Sequence, residues 1–177
     1  MFIHRLTNFF NSRWYWLCVV LTGLGVEGVA LFYQHVLDEP PCVLCIQSRV
    51  WVLAGVLFGL VGLIGSNLVA IRLTAQLGLV GALGMVLNKS WTTVLVERGL
   101  YDGQCGMDPG FPSWFALDKW FPNVFEVWTM CGFTPNFLFG MTMGEGLVYG
   151  TSVLIATAVL ALVLMILHQL RPSASPI

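Results

Sequence analysis

Four stretches of the chain, Trp14–Phe32, Val50–Ile64, Leu73–Leu87 and Leu147–Leu167, are almost free of charged residues. A helix that crosses the hydrocarbon core of a bilayer needs about 20 apolar residues, with about 17 as a working minimum. The first and last stretches meet that length. The middle two are shorter, but Arg49 and Arg72 flank them, and long basic side chains reach from a helix end to the headgroup level. A water-soluble helical core would need a polar face on each helix, and these stretches have almost none. The chain as a whole is 57% hydrophobic and only 10% charged, against about a quarter charged for a soluble domain. The expected fold is therefore an all-α membrane protein. It is a four-transmembrane-helix bundle forming a single domain over 1–177, with spans at roughly 14–33, 46–65, 70–88 and 146–167.

Charge sets the orientation. Placing both termini and the Ser66–Arg72 turn in the cytoplasm puts Arg5, Arg13, Arg72 and Arg171 inside, with no acidic residue among them. Of the 9 acidic residues, all but Glu27 then lie outside, as the positive-inside rule requires. The first apolar run is too long for a signal peptide, and no small-residue cleavage site follows it. It reads as an uncleaved span. The net charge of -1 offers nothing to a nucleic acid.

The two external loops, roughly 34–45 and 89–145, hold four of the five cysteines: Cys42 and Cys45 in the first, Cys105 and Cys131 in the second. Disulfides persist on the side away from the cytoplasm, which makes the bacterial periplasm or an equivalent lumen the expected compartment. The second loop is long enough to be functional rather than a connector. Its aromatic-dense segment "SWFALDKWFPNVFEVW" is expected to form a short amphipathic helix lying in the membrane interface. A helix packed on a partner protein is the other reading.

"EPPCVLCIQSR" carries the chemistry. Pro40 and Pro41 exclude helix before the first cysteine, so a helix should begin near Cys42–Cys45. The positive end of a helix favours thiolate, the attacking species in disulfide exchange. Arg49, four residues after Cys45, shares its helix face and would stabilise a thiolate or donate to a nearby carbonyl oxygen. A structural bridge, a zinc site and an arginine that only anchors its helix are the plainer readings. Zinc fits poorly, because Cys105 and Cys131 are too far apart to form the second knuckle. As a static clamp, a Cys105–Cys131 pair would close a loop of about 27 residues and stabilise it by about 3–4 kcal/mol. As a redox element it would face solvent, and two dithiols on one side suggest a relay. Glu27 is ionisable within a span and so carries a functional expectation. It would pair with Arg49, handle protons near a redox cofactor, or be held neutral in the bundle. Cys18 reads as an inert core residue and His35 as structural.

"PCVLCIQSR", "FYQHV" and "FPSWFALDKWFP" resemble the DsbB family of bacterial inner-membrane disulfide-forming proteins along nearly the whole chain. The resemblance implies a membrane thiol oxidase that reoxidises a DsbA-like periplasmic thiol oxidase and passes the electrons to a membrane quinone, ubiquinone or menaquinone. By position, Cys105 would form the mixed disulfide with the partner, and Cys131 would attack Cys42. Cys45 would become the thiolate beside the quinone, with Arg49 donating to its oxygen. Glu27, from its place in the span rather than from the resemblance, is expected in the same cofactor site. No metal is implied, and a monomer is expected. Family members often carry a histidine before the third cysteine, whereas Asn88–Gln104 has none. The vitamin K epoxide reductase type is also a four-helix quinone–dithiol bundle, but with the reverse order of cysteine pairs. A tetraspan scaffold braced by disulfides is the non-enzyme alternative.

Overall fold

A computed structural model describes residues 2–101, 105–132 and 140–170. Asp102 and Arg171, which enter the charge count above, lie outside them. Among the described residues the chain is helical, without strands: α1 (Phe2–Phe10), α2 (Arg13–Val36), α3 (Val43–Ile64), α4 (Val69–Glu97), a 3-10 turn at Ser113–Phe115, α5 (Leu117–Trp120), α6 (Pro122–Phe125) and α7 (Met143–Leu170). Four of these, α2, α3, α4 and α7, are long and apolar enough to cross a membrane. Their outward residues, such as Leu57, Ile64, Leu77 and Val153, are more than half exposed, as lipid contact requires. α4 continues to Glu97, nearly three turns past its apolar stretch at about 3.6 residues per turn, through residues that polarity alone assigns to the loop. The aromatic segment forms three successive short turns, with Pro122 starting the last.

α2 packs along α3, α3 along α4 and α4 along α7. No comparable packing joins α2 to α7 among the described residues. Lipid supplies no hydrophobic drive between helices, so close approach depends on small residues and buried hydrogen bonds. Both are present. A Cβ on Gly62 of α3 would lie 2.3 Å from the ring of Trp16 on α2, and Trp16 is itself fully buried. Gln76 of α4, also fully buried, donates to the Ala158 carbonyl of α7 (2.8 Å) and accepts from the Tyr15 hydroxyl of α2 (3.1 Å). This triangle ties three helices together at the end opposite the cysteines. There, α1 folds back on α7, and Arg72 donates to both the carbonyl and the side-chain oxygen of Asn11 at the α1–α2 junction. Arg13 donates to Ser66 in the α3–α4 turn.

Gly62→Ala should therefore destabilise the bundle by about 1–3 kcal/mol, the cost of overpacking a filled contact. Gly81→Ala, where a Cβ meets nothing within 4 Å, should leave stability unchanged or slightly raised. Thermal unfolding of both variants in one detergent checks the pair. Equal midpoints would mean that the Gly62–Trp16 contact does not hold α2 against α3.

Candidate functional site

The paired prolines leave Cys42 in extended conformation (φ -86°, ψ 168°) as the N-cap of α3. Its sulfur accepts from the Cys45 N–H at 3.3 Å, the place a serine or aspartate oxygen takes in an ordinary cap. One helical turn then brings the two sulfurs to 2.6 Å. All five cysteines are free thiols.

The second loop reaches this point by docking on the first. The Trp128 N–H donates to the Pro41 carbonyl (3.0 Å), and Thr129 forms an isolated parallel bridge with Cys42. Phe125 and Val127 bury themselves against Cys42, Val43, Leu44 and Ile46. Cys131, two residues beyond the bridge, is thereby placed over the start of α3. It hydrogen-bonds the thiols of Cys42 and Cys105 and the backbone N–H of Leu44, one of the amides that a helix start leaves unpaired. The four sulfurs thus stand in one line: Cys105, Cys131, Cys42, Cys45.

Their electrostatics differ along the line. Hydrogen bonds from Cys42, then from Cys105 and the Leu44 amide, outweigh burial and hold Cys131 down to about 6. Cys42, donating to Cys131 and Cys45 and buried, is pushed up. Partial burial and its bond to Cys131 push Cys105 up to about 11. Thiolate forms as pH rises through each pKa, so at pH 7 Cys131 is about nine-tenths thiolate and Cys105 about one ten-thousandth. Intrinsic nucleophilicity falls with pKa at a Brønsted slope of about 0.4–0.5, which returns roughly two of those four decades. In the reduced protein, iodoacetamide should alkylate Cys131 about fiftyfold faster than Cys105 at pH 7. The Cys131 rate should halve near pH 6. Peptide mass mapping over pH reads both numbers, and equal rates at the two sites would contradict this ordering.

Arg49 is buried and holds the loop from below. It donates to Gln34 Oε1 and the Ala30 carbonyl (3.0 Å) of α2, and to the Val124 carbonyl of α6 (2.8 Å). Gln34 and His35 both donate to the Asn123 carbonyl. Gln34 was not among the expected site residues, although a glutamine in the last turn of an apolar span is a signal that it has a polar partner there. Glu97 and Arg98, two charged residues in the histidine-free stretch before Cys105, are engaged at the α4–α7 junction. Thr142 donates to Glu97 (3.0 Å), and Arg98 pairs with Glu145 (2.9 Å). Thr142 and Glu145 also cap α7 reciprocally, the capping-box arrangement.

Below the sulfurs lies an apolar cavity of about 890 Å³ walled by α2, α3, α4 and α7. Its size is that of a small-molecule site. Cys45, Arg49 and Glu27 all line it, with Trp51 and Val52 beside them. Glu27 is only 6% exposed, and its Oε1 has no hydrogen-bond partner.

The family described as "Disulfide bond formation protein DsbB" matches residues 12–166. The chain belongs to the DsbB family. Two relatives named Disulfide bond formation protein B match nearly the whole chain. That of Shewanella loihica is 36% identical over 170 residues, covering 95% of this chain and 96% of its own. That of Shewanella amazonensis is 36% identical over 182 residues, covering 97% and 100%. All four loop cysteines, Arg49 and Glu27 fall inside the DsbB match. The all-helical membrane bundle and the DsbB membership expected from sequence both hold.

Proposed function

We propose that this chain is a quinone-dependent thiol oxidase of the bacterial inner membrane, with both termini cytoplasmic and its cysteine end in the periplasm. The observation that carries the reading is the unbroken line of four sulfurs running from an accessible loop to the wall of an apolar cavity.

The exchange steps follow from the order of the sulfurs. In the oxidised protein Cys105 is bonded to Cys131, and Cys42 to Cys45. A thiolate of a reduced DsbA-like partner attacks Cys105, and Cys131 leaves. The lower-pKa sulfur is the better leaving group, which makes Cys105, not Cys131, the atom that stays bonded to the partner. Cys131 then attacks Cys42, its neighbour, and Cys45 is released as a thiolate facing the cavity. The partner's second thiol closes its own disulfide and frees Cys105. Cys105 in turn attacks Cys131, restoring the loop pair and leaving Cys42 and Cys45 reduced. Two electrons and one proton have moved from the partner to the inner pair, which now holds Cys42 as thiol and Cys45 as thiolate.

The cavity residues fit a quinone. Its walls are apolar, it lies open where α2 and α7 do not pack, and it holds an oxygen of Glu27 that no protein group satisfies. Of the five N–H donors of a guanidinium, Arg49 has three committed to protein and two left for a ligand oxygen. A quinone bound there would supply the two-electron acceptor that reoxidises Cys42 and Cys45. The test is an absorbance assay of the purified protein with a reduced thioredoxin-fold partner and either ubiquinone or menaquinone. One quinone consumed per partner disulfide formed supports the reading. Partner oxidation indifferent to quinone would refute it.

A further inference from the structure

Glu27 is used by none of the exchange steps above, yet it is buried, faces the same cavity as Cys45 and Arg49, and has an unsatisfied carboxyl oxygen. An isolated carboxylate without donors is costly in an apolar wall, so a neutral acid able to donate is the form suited to this position. Arg49 is near enough to feel its charge, but the two do not form an ion pair among the described contacts. The guanidinium is held at the level of Ala30 by their hydrogen bond. Glu27 lies three residues earlier on the same face of α2, about 4.5 Å lower along the axis.

Resting on the quinone reading above, we propose that Glu27 is the second pole of a two-point clamp for para-quinones: Arg49 donates to one ring oxygen, and Glu27 donates a hydrogen bond and then a proton to the other. The balance closes. Cys42 as thiol and Cys45 as thiolate give up two electrons to become a disulfide. Cys42 releases one proton and Glu27 supplies the second, so that quinone becomes hydroquinone and Glu27 becomes carboxylate. Water at the loop end of the cavity, where Glu39 and Pro40 line it, then reprotonates it. The clamp also explains why the carboxyl oxygen has no protein partner: its partner is the ligand.

Two variants separate this role from a structural one. Glu27→Gln keeps an N–H donor but has no acidic proton, whereas Glu27→Asp keeps the proton on a shorter arm. With a short-chain ubiquinone as probe, quenching of tryptophan fluorescence gives the dissociation constant and steady-state oxidation gives kcat. The expected result for Glu27→Gln is a dissociation constant within about threefold of the unsubstituted protein and a kcat about a hundredfold lower, the scale of losing a general acid. Glu27→Asp should recover part of kcat. Infrared spectra of the quinone-free protein should show a protonated carboxyl band that Glu27→Gln removes. Wild-type kcat in Glu27→Gln, or no such band, overturns the inference while leaving the relay intact. Failure of the unsubstituted protein to bind any quinone overturns the quinone reading, and this inference with it.

Discussion

Replacing Cys45 with alanine should lower quinone-dependent oxidation of the reduced partner on the order of a thousandfold or more, the scale seen when an enzyme loses its nucleophile. The reason lies in position. Cys45 is the last sulfur in the line and lines the cavity. Without it the inner pair cannot close, and Cys131 has no disulfide to attack. The fold should survive, because Cys45 contributes a small side chain to the first turn of α3, and the N–H it donates to the Cys42 sulfur belongs to the backbone and is kept in alanine. Unfolding midpoints within a few degrees of wild type, with turnover gone, are the expected pair of results. The loop cysteines should still exchange once with the partner, so a single mixed disulfide through Cys105 should accumulate and be visible on a non-reducing gel. Turnover near wild type in this variant would remove the thiolate from the scheme.

The second large effect belongs to Arg49, for a different reason. Its guanidinium bonds α2 twice, through Ala30 and Gln34, and the second loop once, through Val124. Arg49→Met would leave buried acceptors on two elements without donors. A hydrogen bond to a charged group contributes about 1.5–3 kcal/mol net, and each buried acceptor left without a donor costs about 1–3 kcal/mol. The damage should be directional. Val124 precedes the stretch that docks on Pro41, so loosening it should carry Cys131 away from Cys42. Cross-loop disulfide formation should then slow at least tenfold, in addition to the lower unfolding midpoint. Arg49→Lys retains the charge but not the planar fork and should fall between the two. An Arg49→Met protein with unchanged stability and unchanged cross-loop exchange would show that the arginine only anchors α3.

What was legible in the sequence was what composition and local rules govern. Hydropathy marks the four spans because a lipid-facing helix must be apolar nearly all round. Pro40–Pro41 marks the start of α3 because proline forbids helix there, and Cys42 is indeed the cap. Position by position, Cys45 and Arg49 on one face were also readable, since the spacing of a helix is fixed. Contacts made across long separations were not. Nothing local announces that Trp128 will bond Pro41, or that Arg49 will bond Val124, 75 residues away; both depend on how the second loop folds back. Gln34 was missed for the same reason. α4 outran its apolar stretch because tertiary contact with α7 at Thr142 and Glu145 supports helix through polar residues. α1 was missed because a nine-residue helix forms by packing on a neighbour, which short-range pattern does not show. Glu27 was visible as an ionisable residue in a span, but its empty hydrogen-bonding position is a property of the assembled cavity.

In the proposed relay, electrons pass between the two loops at a single contact, that of Cys131 with Cys42. A variant carrying Cys45→Ala and Cys105→Ala retains only those two loop thiols. Mild oxidation followed by peptide mass mapping should find them joined within one chain, near quantitatively and at dilute protein. Two free thiols, or links between separate molecules only, would show that the loops do not meet and would leave no path from the partner to the cavity.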